Sequence, residues 1–199
     1  MSRDASPLLV IVSGPPASGK TTIGERLAGA LDLPLLTKDD IKELLADSLE
    51  VEGIEWSKKL GAASFDLLFD LARRLLTAGT SIILEGNFDP NQSTDRFASI
   101  VRDSGAAVVQ VICRADADEL VERYKQRDAS GKRHAIHVDG DRVSDESFAA
   151  QLRRDSLPPL KVEGHVIEID TTGGETVDVT DIAAEIRCCL PAARGDAQG

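Results

Sequence analysis

The chain has 199 residues, 42% of them hydrophobic and 29% charged, which suits one domain with a full core and is too short for two ordinary ones. Acidic residues number 34 against 23 basic ones, a net charge of −11 that argues against general affinity for nucleic acid, because phosphate backbones are bound by clustered Lys and Arg. No apolar run reaches the roughly 18 residues of a membrane helix, and Arg3 alone before Pro7 to Val12 does not make a secretory leader. Cys113, Cys188 and Cys189 are odd in number and two are adjacent, which is no disulfide framework and fits a reducing cytoplasm. The expectation is one cytoplasmic domain over 1–199, with an ordered core from about residue 7 to about 190.

In chain order, Leu8 to Ser13 reads as a buried strand and Thr21 to Leu31 as a helix. Pro34 to Thr37 reads as a short strand, followed by helices over Asp39 to Ser48 and about Ser57 to Thr77. Strands at Ser81 to Leu84, Ala107 to Cys113 and Val166 to Ile169 alternate with helices at Ser93 to Asp103, Ala117 to Asp128 and Val177 to Leu190. Near-continuous apolar strands alternating with helices predict an α/β fold, a parallel sheet covered on both faces. The polar stretch Ala129 to Arg142 breaks this rhythm and reads as a lid before a helix starting near Ser144. The tail from Pro191 and the first few residues have a disordered composition.

The first strand runs into Gly14-Pro15-Pro16-Ala17-Ser18-Gly19-Lys20-Thr21, which matches the phosphate-loop pattern G-x-x-x-x-G-K-[ST] in the required strand–loop–helix context. Gly14 and Gly19 allow the tight turn that aims successive N–H groups at phosphate oxygens, and the helix N-terminus adds its positive end. Lys20 suits the β- and γ-phosphates and the Thr21 hydroxyl suits Mg²⁺, with Thr22 completing the loop. ATP and Mg²⁺ are the expected cofactors.

From this loop to about Arg187 the chain resembles the small P-loop kinases of adenylate-kinase-like arrangement. It is most similar to the branch of zeta-toxin-like, polynucleotide-kinase-like and chloramphenicol-phosphotransferase-like proteins, including AAA-type ATP-binding kinases. The resemblance implies a three-layer α/β P-loop fold with a five-stranded parallel sheet of order 2-3-1-4-5 and a lid. It also implies that Asp39, in Thr37-Lys38-Asp39-Asp40-Ile41-Lys42, accepts the proton of an acceptor hydroxyl, with Lys42 as its basic companion. A carboxylate at the carboxyl end of a strand beside the phosphate loop is chemically suited to that task. Read locally, Asp39 or Asp40 also suits a helix N-cap, and Asp40 is taken as the cap.

Glu85, in Leu84-Glu85-Gly86-Asn87, is a candidate ligand of a Mg²⁺-bound water or a substrate contact, with Asn87 beside it. Apolar residues ending in Asp, the usual acidic metal motif, are lacking. Arg123 and Arg127 lie four apart on one helix face, either as part of a solvated surface with Glu119 or neutralising the transferred phosphoryl group as lid arginines do in similar kinases. Lys132 and Arg133 of the lid are placed to join these arginines on closure, Arg133 and His134 are candidate substrate contacts, and His137 shares the loop. Thr171 and Thr172, after the last strand, correspond to the loop beside the adenine ring in similar kinases. The expected activity is transfer of the γ-phosphate of Mg-ATP to a hydroxyl of a small molecule: an antibiotic or natural product, a sugar or a nucleoside. A polynucleotide 5′-hydroxyl kinase and a nucleotide-dependent binding switch are the alternatives. The acidic composition mildly favours an acceptor with cationic groups.

Overall fold

The computed structural model describes residues 6–131, 133–137, 158–174 and 177–189. The expected lid residues Lys132 and 138–142, the helix near Ser144 and the tail from Pro191 lie outside the described residues.

The elements are β1 (Leu8–Ser13), α1 (Lys20–Leu31), β2 (Leu35–Thr37), α2 (Lys38–Leu49), α3 (Ile54–Thr77), β3 (Ile82–Glu85), α4 (Pro90–Ser104), β4 (Ala107–Arg114), α5 (Ala117–Ala129), β5 (His165–Asp170) and α6 (Thr180–Cys188). The five strands form one parallel sheet in the order β2-β3-β1-β4-β5, as the resemblance implies. The central strand β1 is buried along its whole length, and side chains of a strand alternate between faces. Leu9 and Ile11 join Leu68, Phe69 and Phe97 of α3 and α4 in one core, whereas Leu8, Val10 and Val12 join Ile23, Leu27 and Ile186 of α1 and α6 in the other. The three layers are these two helical covers with the sheet between them. No helix of the described residues is long and apolar enough to cross a membrane.

Several helix starts differ from the pattern-based expectation, among them α3, which begins at Ile54, three residues early. The α2 cap is Thr37 and not Asp40: β2 ends at Thr37, the helix begins at once, and the Thr37 hydroxyl accepts from the Asp40 N–H at 3.0 Å. Asp39 and Asp40 therefore sit in the first turn, where the helix dipole favours carboxylates. The helix α4 begins at Pro90, three residues early, because Asp89 caps it and accepts from the Asn91 N–H at 2.9 Å. At the C-terminal side α6 begins only at Thr180, three residues later than expected, and residues 177–179 before it are not helical.

Candidate active site

The strand register brings the chemistry to one edge. Val12 and Thr37 are both register partners of Glu85, so β1, β2 and β3 end side by side at the carboxyl edge of the sheet. That edge is where open α/β sheets bind ligands. The phosphate loop leaves β1, α2 leaves β2 with Asp39 in its first turn, and Glu85 closes β3.

The loop is shaped as a phosphate cradle. A Cβ on Gly14 would lie 2.5 Å from the Cys113 carbonyl oxygen and 2.6 Å from Ser18 Oγ, so the position admits only glycine. Gly19 has φ +77°, a left-handed conformation that glycine adopts at no steric cost, and it caps α1. Ala17 takes φ +65° between them. Ser18 Oγ is buried with no hydrogen-bond partner among the described residues and packs into the turn against Gly14, a polar atom of the loop left unsatisfied by the protein.

Lys20 Nζ lies 3.5 Å from the Pro15 carbonyl oxygen and 3.9 Å from Glu85 Oε1. Thr21 donates its hydroxyl proton to Glu85 Oε2 at 3.1 Å. Hydroxyl and carboxylate oxygens are hard donors of the type Mg²⁺ takes, usually alongside waters and phosphate oxygens. Burial pushes the Glu85 carboxyl up, and Lys20 and the Thr21 hydroxyl oppose this while Asp39 and Asp40 add to it; the net shift is upward. Behind the loop, burial drives the Cys113 thiol up to about 12, so it stays a thiol.

Asp39 shows the opposite balance. Its partial burial raises the carboxyl, but the charges of Lys38, His137 and Lys20 and the hydrogen bond from Lys38 at 3.0 Å prevail and hold it at about 2. The carboxylate is ionised throughout the ordinary pH range, and half of its surface is open to the adjoining cavity.

That cavity, of about 270 Å³, is lined by residues of the loop (Pro16, Lys20), of α2 (Lys38, Asp39, Lys42), of the β3 end (Glu85, Asn87) and of α5 (Tyr124, Arg127). Arg133 and His137 close one side. Lys42 is buried, with Nζ donating to Ser57 Oγ at 2.8 Å and to the Ile136 carbonyl at 3.3 Å, so it ties α2 to α3 and to residues 133–137. Lys38, Ser57 and Lys58 also line the cavity and are not singled out by the sequence: Lys38 adjoins Asp39 on α2, whereas Ser57 and Lys58 come from α3, which no local spacing ties to the site.

The structure separates residues that the sequence pairs. Arg123 turns toward Glu119 and the Thr171 hydroxyl and carbonyl, and lines a groove with Gly19, Thr22, Arg26 and Gly174. Arg127 lines the Asp39 cavity instead. Thr171 is buried, with its hydroxyl 3.0 Å from the Ser18 carbonyl and 2.9 Å from that of Arg114, while the Thr172 hydroxyl accepts from the Asp116 N–H at 3.0 Å. The two lid histidines diverge as well. His137 meets Glu43 at 2.8 Å inside the cavity. His134 accepts from the Ile136 N–H through Nδ1 at 3.1 Å, so its Nε2 carries the proton facing Asp47 at 2.9 Å, outside the cavity lining.

Comparison with known proteins agrees with this geometry. A family model described as an AAA domain matches residues 9–157. The solved structure of a candidate kinase from Chloroflexus aurantiacus is 38% identical, with a TM-score of 0.87, over 94% of this chain and 100% of that one. A sugar kinase from a Janibacter species, 15% identical with a TM-score of 0.54 over 90% of this chain and 91% of its own, shares the fold. Uncharacterized proteins of Mycobacterium tuberculosis and Mycobacterium bovis are 26% identical over 132 residues, 63% of this chain and 26% of theirs. The chain thus spans about a quarter of the length of these curated relatives. By its phosphate loop, its strand order and the extent of the family match, the chain belongs to the AAA-domain family and has the fold of the small P-loop kinases.

Proposed function

We propose that the protein is an ATP-dependent phosphotransferase that moves the γ-phosphate of Mg-ATP to a hydroxyl of a small molecule. The observation that carries this reading is Asp39: an ionised carboxylate lining the same cavity as Lys20 of the phosphate loop and facing open space. A nucleotide switch has no use for a carboxylate held ready beside an acceptor-sized cavity. The volume of about 270 Å³ is near the lower end of the roughly 300–1,000 Å³ range of small-molecule sites.

Bound Mg-ATP supplies the phosphoryl group and the metal charge that spreads over its oxygens. The chain's residues do the rest. The Gly14–Thr21 backbone cradles phosphates, Lys20 and Arg127 balance charge on the transferred group, and Thr21 and Glu85 hold the metal directly or through water. Arg123 and Thr171 shape the groove beside the loop for the nucleoside. Asp39 accepts the hydrogen bond of the acceptor hydroxyl and orients its oxygen. At about 2 it is a weak base, which suits phosphoryl transfer: the transition state is loose, and the hydroxyl proton leaves late, once bonding to phosphorus has made it acidic. The kinase description of the 38%-identical relative supports the same reading.

The test is transfer of γ-labelled phosphate from ATP to a panel of antibiotics, sugars, nucleosides and 5′-hydroxyl oligonucleotides. Label on one acceptor class, abolished by Lys20→Ala and by Asp39→Asn, is the expected result. ATP hydrolysis unaffected by Asp39→Asn, with no labelled acceptor, identifies a switch instead.

A further inference from the structure

Asp39 is suited to receive the proton of an acceptor hydroxyl but not to keep it. A carboxylate held at about 2 gives a proton up again at neutral pH, so a lasting transfer calls for a second, stronger base beside it. His137 stands in that place. Asp39 and Glu43 lie four apart on α2 and share one face of the helix. The His137 ring meets Glu43 Oε1 through Nε2 at 2.8 Å, lines the cavity of Asp39, and lies near enough for its charge to act on that carboxylate.

The ring is held firmly. Its side chain is 5% exposed, and the His137 N–H donates to the His134 carbonyl at 3.0 Å. The preceding residue, Ile136, is fully buried with Ala46 and Leu60, and its carbonyl accepts from Lys42 at 3.3 Å. A carboxylate only accepts, so Glu43 keeps the proton of the neutral ring on Nε2 and leaves the lone pair on Nδ1. Nδ1 has no hydrogen-bond partner among the described residues. A carboxylate that fixes the tautomer of an imidazole and steadies the imidazolium is how hydrolytic triads make histidine a base. Burial, Arg133 and Lys42 hold His137 below 6.5 against Asp39 and Glu43. Lys20, Lys38, Lys58, Glu85, Tyr124 and Arg127 are the other titratable or charged groups lining the cavity among the described residues.

We infer that His137 is the final proton acceptor of the transfer and that Glu43 is its positioning residue. The inference rests on the phosphotransferase reading and adds to it a destination for the proton. As the acceptor oxygen bonds to the γ-phosphorus, the bond from that phosphorus to the bridging oxygen breaks and leaves its electron pair on ADP. The O–H electron pair stays on the acceptor oxygen. The proton passes to Asp39, then directly or through a water to His137 Nδ1, and from there to solvent.

Two measurements on the full chain test this. The first needs no acceptor: nitrogen-15 NMR of the imidazoles of the three histidines, with His137→Gln assigning the signal. At pH 8 the expected His137 ring carries its proton on Nε2 and has a bare Nδ1. An Nδ1–H ring, or one still charged at pH 8, overturns the inference. The second is kcat/KM from pH 5 to 8 for transfer from γ-labelled ATP to whichever antibiotic, sugar, nucleoside or 5′-hydroxyl oligonucleotide takes label. The wild type is expected to lose about tenfold per pH unit below the His137 midpoint. Glu43→Gln moves that limb to lower pH, because Glu43 favours the charged ring. His137→Gln loses the limb and is about tenfold slower at pH 8 with nucleotide affinity unchanged, and added imidazole restores transfer to His137→Ala. A flat wild-type profile, or the same limb in His137→Gln, overturns the inference and keeps the phosphotransferase. Transfer to no acceptor removes the phosphotransferase and this proton path with it.

Discussion

The Thr21 hydroxyl donates to Glu85 Oε2 at 3.1 Å, joining the phosphate loop to the end of β3 across 64 residues of sequence. Glu85 stays buried there although burial raises its carboxyl against the help of Lys20 and Thr21. A carboxylate kept under such conditions is a functional expense in the fold.

For an acid raised in the folded state, the folded chain binds its proton more tightly than the unfolded one. Stability is therefore lost as pH rises above the ordinary value of 4.5 through the folded value. Glu85→Gln, which mimics the protonated form, raises the melting temperature of nucleotide-free protein at pH 7. The same change lowers Mg²⁺-dependent transfer roughly 10²-fold. Thermal unfolding and a magnesium titration of transfer, run side by side, check both halves.

Asp39 behaves in the reverse sense. Its carboxyl is depressed from 3.8 to about 2, so the stability it contributes is complete above 3.8 and is lost only as pH falls toward 2. Its ionisation accordingly adds no acid limb to the pH–rate profile above pH 4.5. Lys38→Ala removes both a charge and a hydrogen bond that oppose the effect of burial. An acid limb then moves up into the measurable range of kcat/KM, while the affinity for nucleotide is retained.

His137 is lowered from 6.5 first by burial and then by Arg133 and Lys42, with Asp39 and Glu43 pulling the other way. A depressed base is protonated more readily in the unfolded chain. The wild type thus loses stability as pH falls from 6.5 toward the folded value, and His137→Gln flattens that part of the curve. Melting temperatures from pH 5 to 8 for the two proteins give the difference.

Thr171 pins the β5 exit to the loop through the Ser18 carbonyl and receives Arg123 on its hydroxyl and carbonyl oxygens. Thr171→Val keeps the shape and removes the hydroxyl. The Arg114 carbonyl retains the Thr171 N–H at 2.8 Å, so the loss falls on Ser18 and Arg123. Denaturant unfolding shows a cost of about 1 kcal/mol, and ATP affinity falls only slightly, because Arg123 loses the Thr171 hydroxyl but keeps the Thr171 carbonyl and Glu119.

Much of this was legible in the sequence, for physical reasons that can be named. The apolar runs of β1, β3 and β4 are buried on both faces, so they stand out without alternation. The loop is legible because its glycines answer to local geometry: Gly14 to the nearby Cys113 carbonyl, Gly19 to a left-handed turn. The α2 start was misplaced because Thr37, Asp39 and Asp40 are all competent caps, and only the end of β2 decides among them. Arg123 and Arg127 share a helix face, but four residues advance about 6 Å along the axis, enough to deliver one to the groove beside Thr171 and the other to the Asp39 cavity. The Lys42–Ile136 contact spans 94 residues, and no local spacing encodes it.

The most direct test of the phosphotransferase account is single-turnover transfer by Asp39→Asn, with its nucleotide affinity measured in parallel. The account predicts a loss of transfer of roughly 10²-fold or more with ATP affinity unchanged. Transfer at the wild-type rate, or a loss explained wholly by weaker ATP binding, contradicts it.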